Sequence, residues 1–141
     1  MVDELSEIII PADDHSPGAR AAKCASFIDQ SLAESFEDKP RQEFREGLRT
    51  VDKLCHELHN VSFLDATPEQ RVAVVARMAR GEKNPKKPDE QFFLQIKFAT
   101  AHAYYTTDIG IHKEIGYLGN TVQNQFSGYD ASTVPIEHIE K

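Results

Sequence analysis

Phe44, Leu48, Val51, Cys55 and Leu58 recur at steps of four, three, four and three. Only the 3.6-residue period of an α-helix brings such positions onto one face, so this stripe predicts a long amphipathic helix opened by Pro40. Arg41, Arg45, Glu46 and Arg49 fall off the stripe and read as its solvated side, with charge pairing three and four residues apart. A helix with one apolar face must bury it, and the rest of the chain supplies further helices to do so.

Residues 3–10 form a short amphipathic start that Pro11 stops. A loop dense in turn formers follows, Pro11 to Gly18, and its Ser16-Pro17 pair reads as a helix entry, with Ala21, Ala25, Ile28 and Leu32 marking the face behind it. Thr67-Pro68-Glu69-Gln70 is a capping box, and Val72, Val75 and Ala79 mark a helix that Gly81 ends through a left-handed residue. The segment from about Asp89 to Tyr105 carries two apolar faces. One holds Phe92, Ile96, Ala99 and Ala103; the other holds Leu94, Phe98, Ala101 and Tyr105. A helix apolar on two sides is central, touching several neighbours or a partner. After Thr106 the periodicity breaks into a glycine-aromatic tail, and from about residue 120 the chain reads as extended. No stretch alternates with period two. The expected fold is all-α: a compact bundle of about five helices with an irregular C-terminal tail, in one domain over residues 1–141.

The charge pattern excludes some partners. The chain has 16 Lys+Arg against 23 Asp+Glu, a net charge of -7, so it lacks the basic footprint of a nucleic-acid binder. Asp3, Glu4, Glu7, Asp13 and Asp14 precede the first Lys or Arg, Arg20. They read either as a solvated N-terminal face or as an acidic patch for a basic partner. No apolar run is long enough to span a bilayer.

Recognisable catalytic and cofactor patterns are missing. Two cysteines cannot by themselves hold an iron–sulfur cluster, and no haem-attachment motif surrounds them. Cys24 and Cys55 lie on consecutive helices. In an antiparallel hairpin they sit about one turn apart, at the edge of the roughly 7 Å reach of a disulfide, so a disulfide and a pair of buried thiols are both open. His56 and His59 lack the i,i+4 spacing of a zinc-binding helix, and no Glu-x-x-His pair of the di-iron type is present. Phosphate-binding glycine loops and Gly-x-Ser-x-Gly are absent.

Three groups of residues carry a family resemblance. The first is Ile8-Ile9-Ile10-Pro11-Ala12-Asp13-Asp14, followed by Ser16-Pro17-Gly18-Ala19-Arg20 and Phe27-Ile28-Asp29. The second is Phe44-Arg45-Glu46-Gly47-Leu48 with Phe63-Leu64 and the Thr67-to-Arg71 cap. The third is Tyr104-Tyr105-Thr106 through Gly110, with Ile115-Gly116-Tyr117-Leu118-Gly119-Asn120 and Gly128-Tyr129. In this order the sequence resembles the gluconate 2-dehydrogenase subunit 3 family, the small subunit of bacterial membrane-bound sugar and polyol dehydrogenases. The resemblance implies a non-catalytic subunit with no cofactor of its own. A flavoprotein partner of the glucose–methanol–choline type would hold FAD, and a cytochrome c subunit can take the electrons. It also implies support of the partner's folding, stability and export. Relatives carry a twin-arginine leader; this sequence shows none, and the expectation is a trimmed leader and a periplasmic protein, with the cytoplasm as the alternative.

The expected partner surface comprises Tyr104, Tyr105, Ile109, Tyr117, Asn120, Phe126 and Tyr129, with Asp13 and Asp14 at the rim. Aromatic side chains beside glycines suit an interface of close backbone approach. The competing expectation is a free-standing helical metal- or ligand-binding protein using His15, His56 or His59.

Overall fold

A computed structural model describes residues 1–120. Five α-helices run in order: α1 (Val2–Ile9), α2 (Cys24–Ala33), α3 (Asp38–His59), α4 (Pro68–Ala79) and α5 (Pro88–Tyr105). A π-helical turn, Ile109–Glu114, follows α5. Among the described residues there is no strand. The expected all-α bundle is therefore what the chain forms. The segment that reads as extended from about residue 120, with Phe126 and Tyr129, lies outside the described residues.

The bundle is organised around α5, which touches α1, α2, α3, α4 and the π-helical turn. Its buried face carries Phe92, Phe93, Ile96, Thr100, Ala103 and Tyr104. Against it come Leu5 of α1, Ile28 of α2, Phe44 and Val51 of α3, and Val74 and Met78 of α4. Phe44 and Phe92 meet edge to face, with centroids 5.3 Å apart. Beside them Gly47 is buried, and a Cβ there would stand inside the Phe92 ring. The crossing of α3 and α5 therefore runs through Gly47.

That crossing rotates the α3 stripe from its expected register. Phe44, Gly47, Val51 and Cys55 are buried, Leu48 is half-buried, and Leu58 is 48 % exposed. At that end Phe63 supplies the fully buried side chain, its N–H donating to Asp52 Oδ1 at 2.8 Å. Asn60, in the left-handed region at φ 58°, closes α3 and gives its N–H to His56.

Other helix ends follow the chemistry of their residues. Thr67 and Gln70 make the reciprocal cap of α4: Gln70 N–H donates to Thr67 Oγ1 at 3.3 Å, and Thr67 N–H to Gln70 Oε1 at 2.9 Å. The expected α4 face turns by one position, so Val74, Val75 and Met78 are buried while Val72 is exposed. Gly81 does not take the left-handed exit expected of it. Its role is space, because a Cβ there would collide with the Glu90 side chain. Glu90 in turn accepts the N–H groups of Lys86 and Lys87 at 3.0 and 3.2 Å, which sets the start of α5.

The helix entry expected at Ser16-Pro17 is also corrected. Residues 19–23 form turns, Lys23 sits in the left-handed region at φ 57°, and α2 begins at Cys24. Ala22, not Ala21, is buried. The physical reason is a tertiary claim on the pair. Ser16 Oγ lies 2.6 Å from the Tyr104 hydroxyl, and the Pro17 carbonyl accepts from the same hydroxyl at 2.6 Å. Ser16 therefore anchors the loop to α5 and is not free to cap a helix.

Candidate partner-binding surface

The second apolar face predicted for α5 exists, and among the described residues part of it stays exposed. Phe98 is 77 % exposed and Tyr105 is 44 % exposed, with half-buried Leu94 and Ala101 between and before them at helical spacing. Between Glu90 and Asp108 the only charged residue is Lys97, which is paired with Glu82. This is unlike α3, whose outward side carries Lys39, Arg41, Glu43, Arg45, Glu46 and Arg49.

Beside that face, packing of α2 on α5 forms a groove of about 200 Å³, which Phe98 alone of the four borders. Phe27, Ser31 and Leu32 form one wall, Gln95, Phe98 and His102 the other, and Ile28, Phe44 and Ala99 the floor. Phe27 meets the His102 ring edge-on at 5.8 Å. Phe27 and His102 were not among the residues expected at the surface site. The signal for His102 was indirect, the absence of charge along α5, while Phe27, on α2, stood only among the residues that carry the resemblance.

A second exposed apolar segment follows the π-helical turn. Gly110 is buried against the end of α5, where a Cβ would strike the Tyr104 carbonyl oxygen. Beyond it Gly116 and Gly119 take φ 67° and 94° and present Ile115, Tyr117 and Leu118 to solvent, Leu118 at 98 %. His112 Nδ1 lies 2.8 Å from the Tyr117 carbonyl, and the Tyr117 hydroxyl donates to Asn120 Oδ1 at 2.9 Å. His15 Nε2 lies 3.1 Å from the Glu114 carbonyl, tying the 11–16 loop to this turn.

These placements sort the expected surface residues. Tyr105, Tyr117 and Asn120 are exposed, and Ile109 is half-buried against the core. Tyr104 is corrected: at 1 % exposure it belongs to the chain's own core. Burial pushes its hydroxyl's pKa up, the Ser16 bond working against that shift. Asp14 is exposed. Asp13 is exposed too, but its carboxylate accepts the N–H groups of His15 and Ser16, both at 2.8 Å, and the Ser16 bond is the main cause of its lowered pKa.

The acids of α1 are not a free patch. Arg20 reaches Asp3 and Glu4, both at 2.7 Å, and its N–H donates to Glu7 at 2.7 Å. Arg71 joins Glu4 at 2.8 Å and also donates to the Phe63 and Leu64 carbonyls. Glu4 thus links α1 to both the 19–23 turns and α4.

Cys24 and Cys55 are buried free thiols. Desolvation pushes the Cys24 pKa up to about 11 and raises that of Cys55. His56 Nε2 lies 4.0 Å from Asp52 Oδ2 at the surface. Among the described residues, no three His, Cys, Asp or Glu side chains converge as a metal-holding group, and no helix is long and apolar enough to cross a membrane.

The family model for gluconate 2-dehydrogenase subunit 3 matches residues 1–122, which takes in every helix described above. The chain belongs to the gluconate 2-dehydrogenase subunit 3 family. No curated protein and no solved structure matches it. Membership makes it an accessory subunit of a dehydrogenase complex in kind, and it gives physical roles to the residues that carried the resemblance. In this subunit 3 chain, Gly47 is the α3–α5 crossing, Arg20 and Arg71 are the two clamps on Glu4, and Ser16-Pro17 is the anchor for Tyr104.

Proposed function

We propose that this chain is the non-catalytic small subunit of an FAD-dependent sugar or polyol dehydrogenase of the glucose–methanol–choline type. It binds the flavoprotein that holds FAD, supports its folding and stability, and accompanies it through twin-arginine export to the periplasm, where a cytochrome c subunit can accept the electrons. The family match over residues 1–122 carries this reading. The nearly uncharged face of α5, with Phe98 and Tyr105 exposed, supports it, because depletion of charge around aromatic side chains is what marks the core of a protein interface.

The test is co-expression with a flavoprotein of the glucose–methanol–choline type from the same genome. The expected result is one co-purifying complex and a flavoprotein that is insoluble or inactive when made alone. A flavoprotein that is soluble, fully active and separate from this chain sinks the proposal.

A further inference from the structure

Two apolar surfaces compete for the partner: the α2–α5 groove and the 115–118 segment. We propose that the groove seats the catalytic subunit, by taking an aliphatic or aromatic anchor side chain from an uncharged part of that subunit's surface. This rests on the reading of the chain as an accessory subunit.

Size is the first argument. The groove's 200 Å³ falls below the roughly 300–1,000 Å³ of small-molecule sites and suits one or two side chains. Charge is the second. The groove's polar lining is Ser31, Gln95 and His102, with no Lys, Arg, Asp or Glu. A complementary surface must be equally free of charge, since a charge buried there finds no partner. The cleft on the other side of α2 shows the contrast: Asp29, Arg41 and Arg45 line it, and it reads as a water-facing cleft.

Rigidity is the third argument. Both walls of the groove are helices packed on the core through Ile28 and Ile96, so an incoming side chain finds its contacts already positioned. The 115–118 segment instead turns on two glycines at positive φ and leaves Leu118 without cover. Ordering such a segment on a partner costs conformational entropy that the groove does not lose.

The experiment measures binding of the full chain to the purified flavoprotein with which it co-purifies. Phe98→Glu is expected to weaken binding by about tenfold or more, and Ser31→Arg on the opposite wall to act the same way. Both sites are exposed, so the melting temperature of the isolated variants stays at the wild-type value. Leu118→Ser is expected to bind within about twofold of wild type. Unchanged binding of Phe98→Glu and Ser31→Arg, with loss in Leu118→Ser, places the interface on the 115–118 segment and overturns the proposal while leaving the accessory-subunit reading intact. A wild-type homodimer that Phe98→Glu converts to monomer, with catalytic-subunit binding unaffected, overturns it in favour of a second copy. No binding by the wild-type chain removes both readings.

Discussion

The Tyr104 hydroxyl sits 2.6 Å from Ser16 Oγ, across 88 residues of sequence. It joins the last α-helix to the loop that follows the first, and the same hydroxyl donates to the Pro17 carbonyl at 2.6 Å. Tyr104→Phe keeps the ring and leaves both partners short of a bond inside the core. The expected loss is about 1–3 kcal/mol of unfolding free energy, measured by urea denaturation. A change within error would mean that water replaces the phenol at no cost.

Gly47→Ala sets two effects against each other. Alanine favours a helix interior over glycine by about 1 kcal/mol. The new methyl, however, must displace the Phe92 ring, itself held edge-on by Phe44, and overpacking of this kind costs about 1–3 kcal/mol or more. The steric term wins, so the variant melts lower than wild type. A higher melting temperature would show that α3 and α5 separate easily at this crossing.

Arg71 satisfies three acceptors at once, Glu4 and the Phe63 and Leu64 carbonyls, with its Cζ 6.0 Å from the Phe63 ring centroid. Lysine offers a point charge and cannot fork to all three. Arg71→Lys is therefore expected to lose about 1–3 kcal/mol of stability, measured by chemical denaturation. Full stability in the lysine variant would reduce this residue to a surface charge.

The thiols give a prediction in pH. Folded Cys24 ionises near pH 11, against an ordinary value of 9.0, because burial disfavours the thiolate. The unfolded chain thus releases its proton first as pH rises. The stability contributed by the neutral thiol is intact below about pH 9 and drains away as pH climbs toward 11. Cys24→Ala should flatten that part of the melting-temperature profile. Ellman titration without reductant should find both thiols after unfolding and almost none in the folded protein; fewer than two after unfolding would reveal a disulfide.

Much of the fold was legible in the sequence because it rests on local rules. The Thr67–Gln70 cap, the α3 period and the two faces of α5 are each set by residues within a few positions of one another. What escaped was decided across the chain. Ser16-Pro17 has the chemistry of a helix entry until Tyr104 claims it, and Gly81 has that of a helix exit until Glu90 needs its space. The rotated α3 face depends on Phe92 entering at Gly47, a contact between helices that no period reveals. For the candidate surface, Tyr105 and Phe98 were readable as a second face. The groove was not, because Phe27 and His102 meet only once α2 is laid on α5.

The central place of α5 fixes an order of events during synthesis. A ribosome makes α1 through α4 before the helix that covers all of them, so Leu5, Ile28, Phe44 and Val74 lack their main packing partner until residue 105 has left the exit tunnel. Before that point the nascent chain holds four helices that touch one another but lack the α5 face that completes their core, the condition in which chaperones engage. Folding of this chain is therefore late and nearly all at once, and a ribosome stalled before α5 would display a sticky intermediate that a stall some tens of residues later would not.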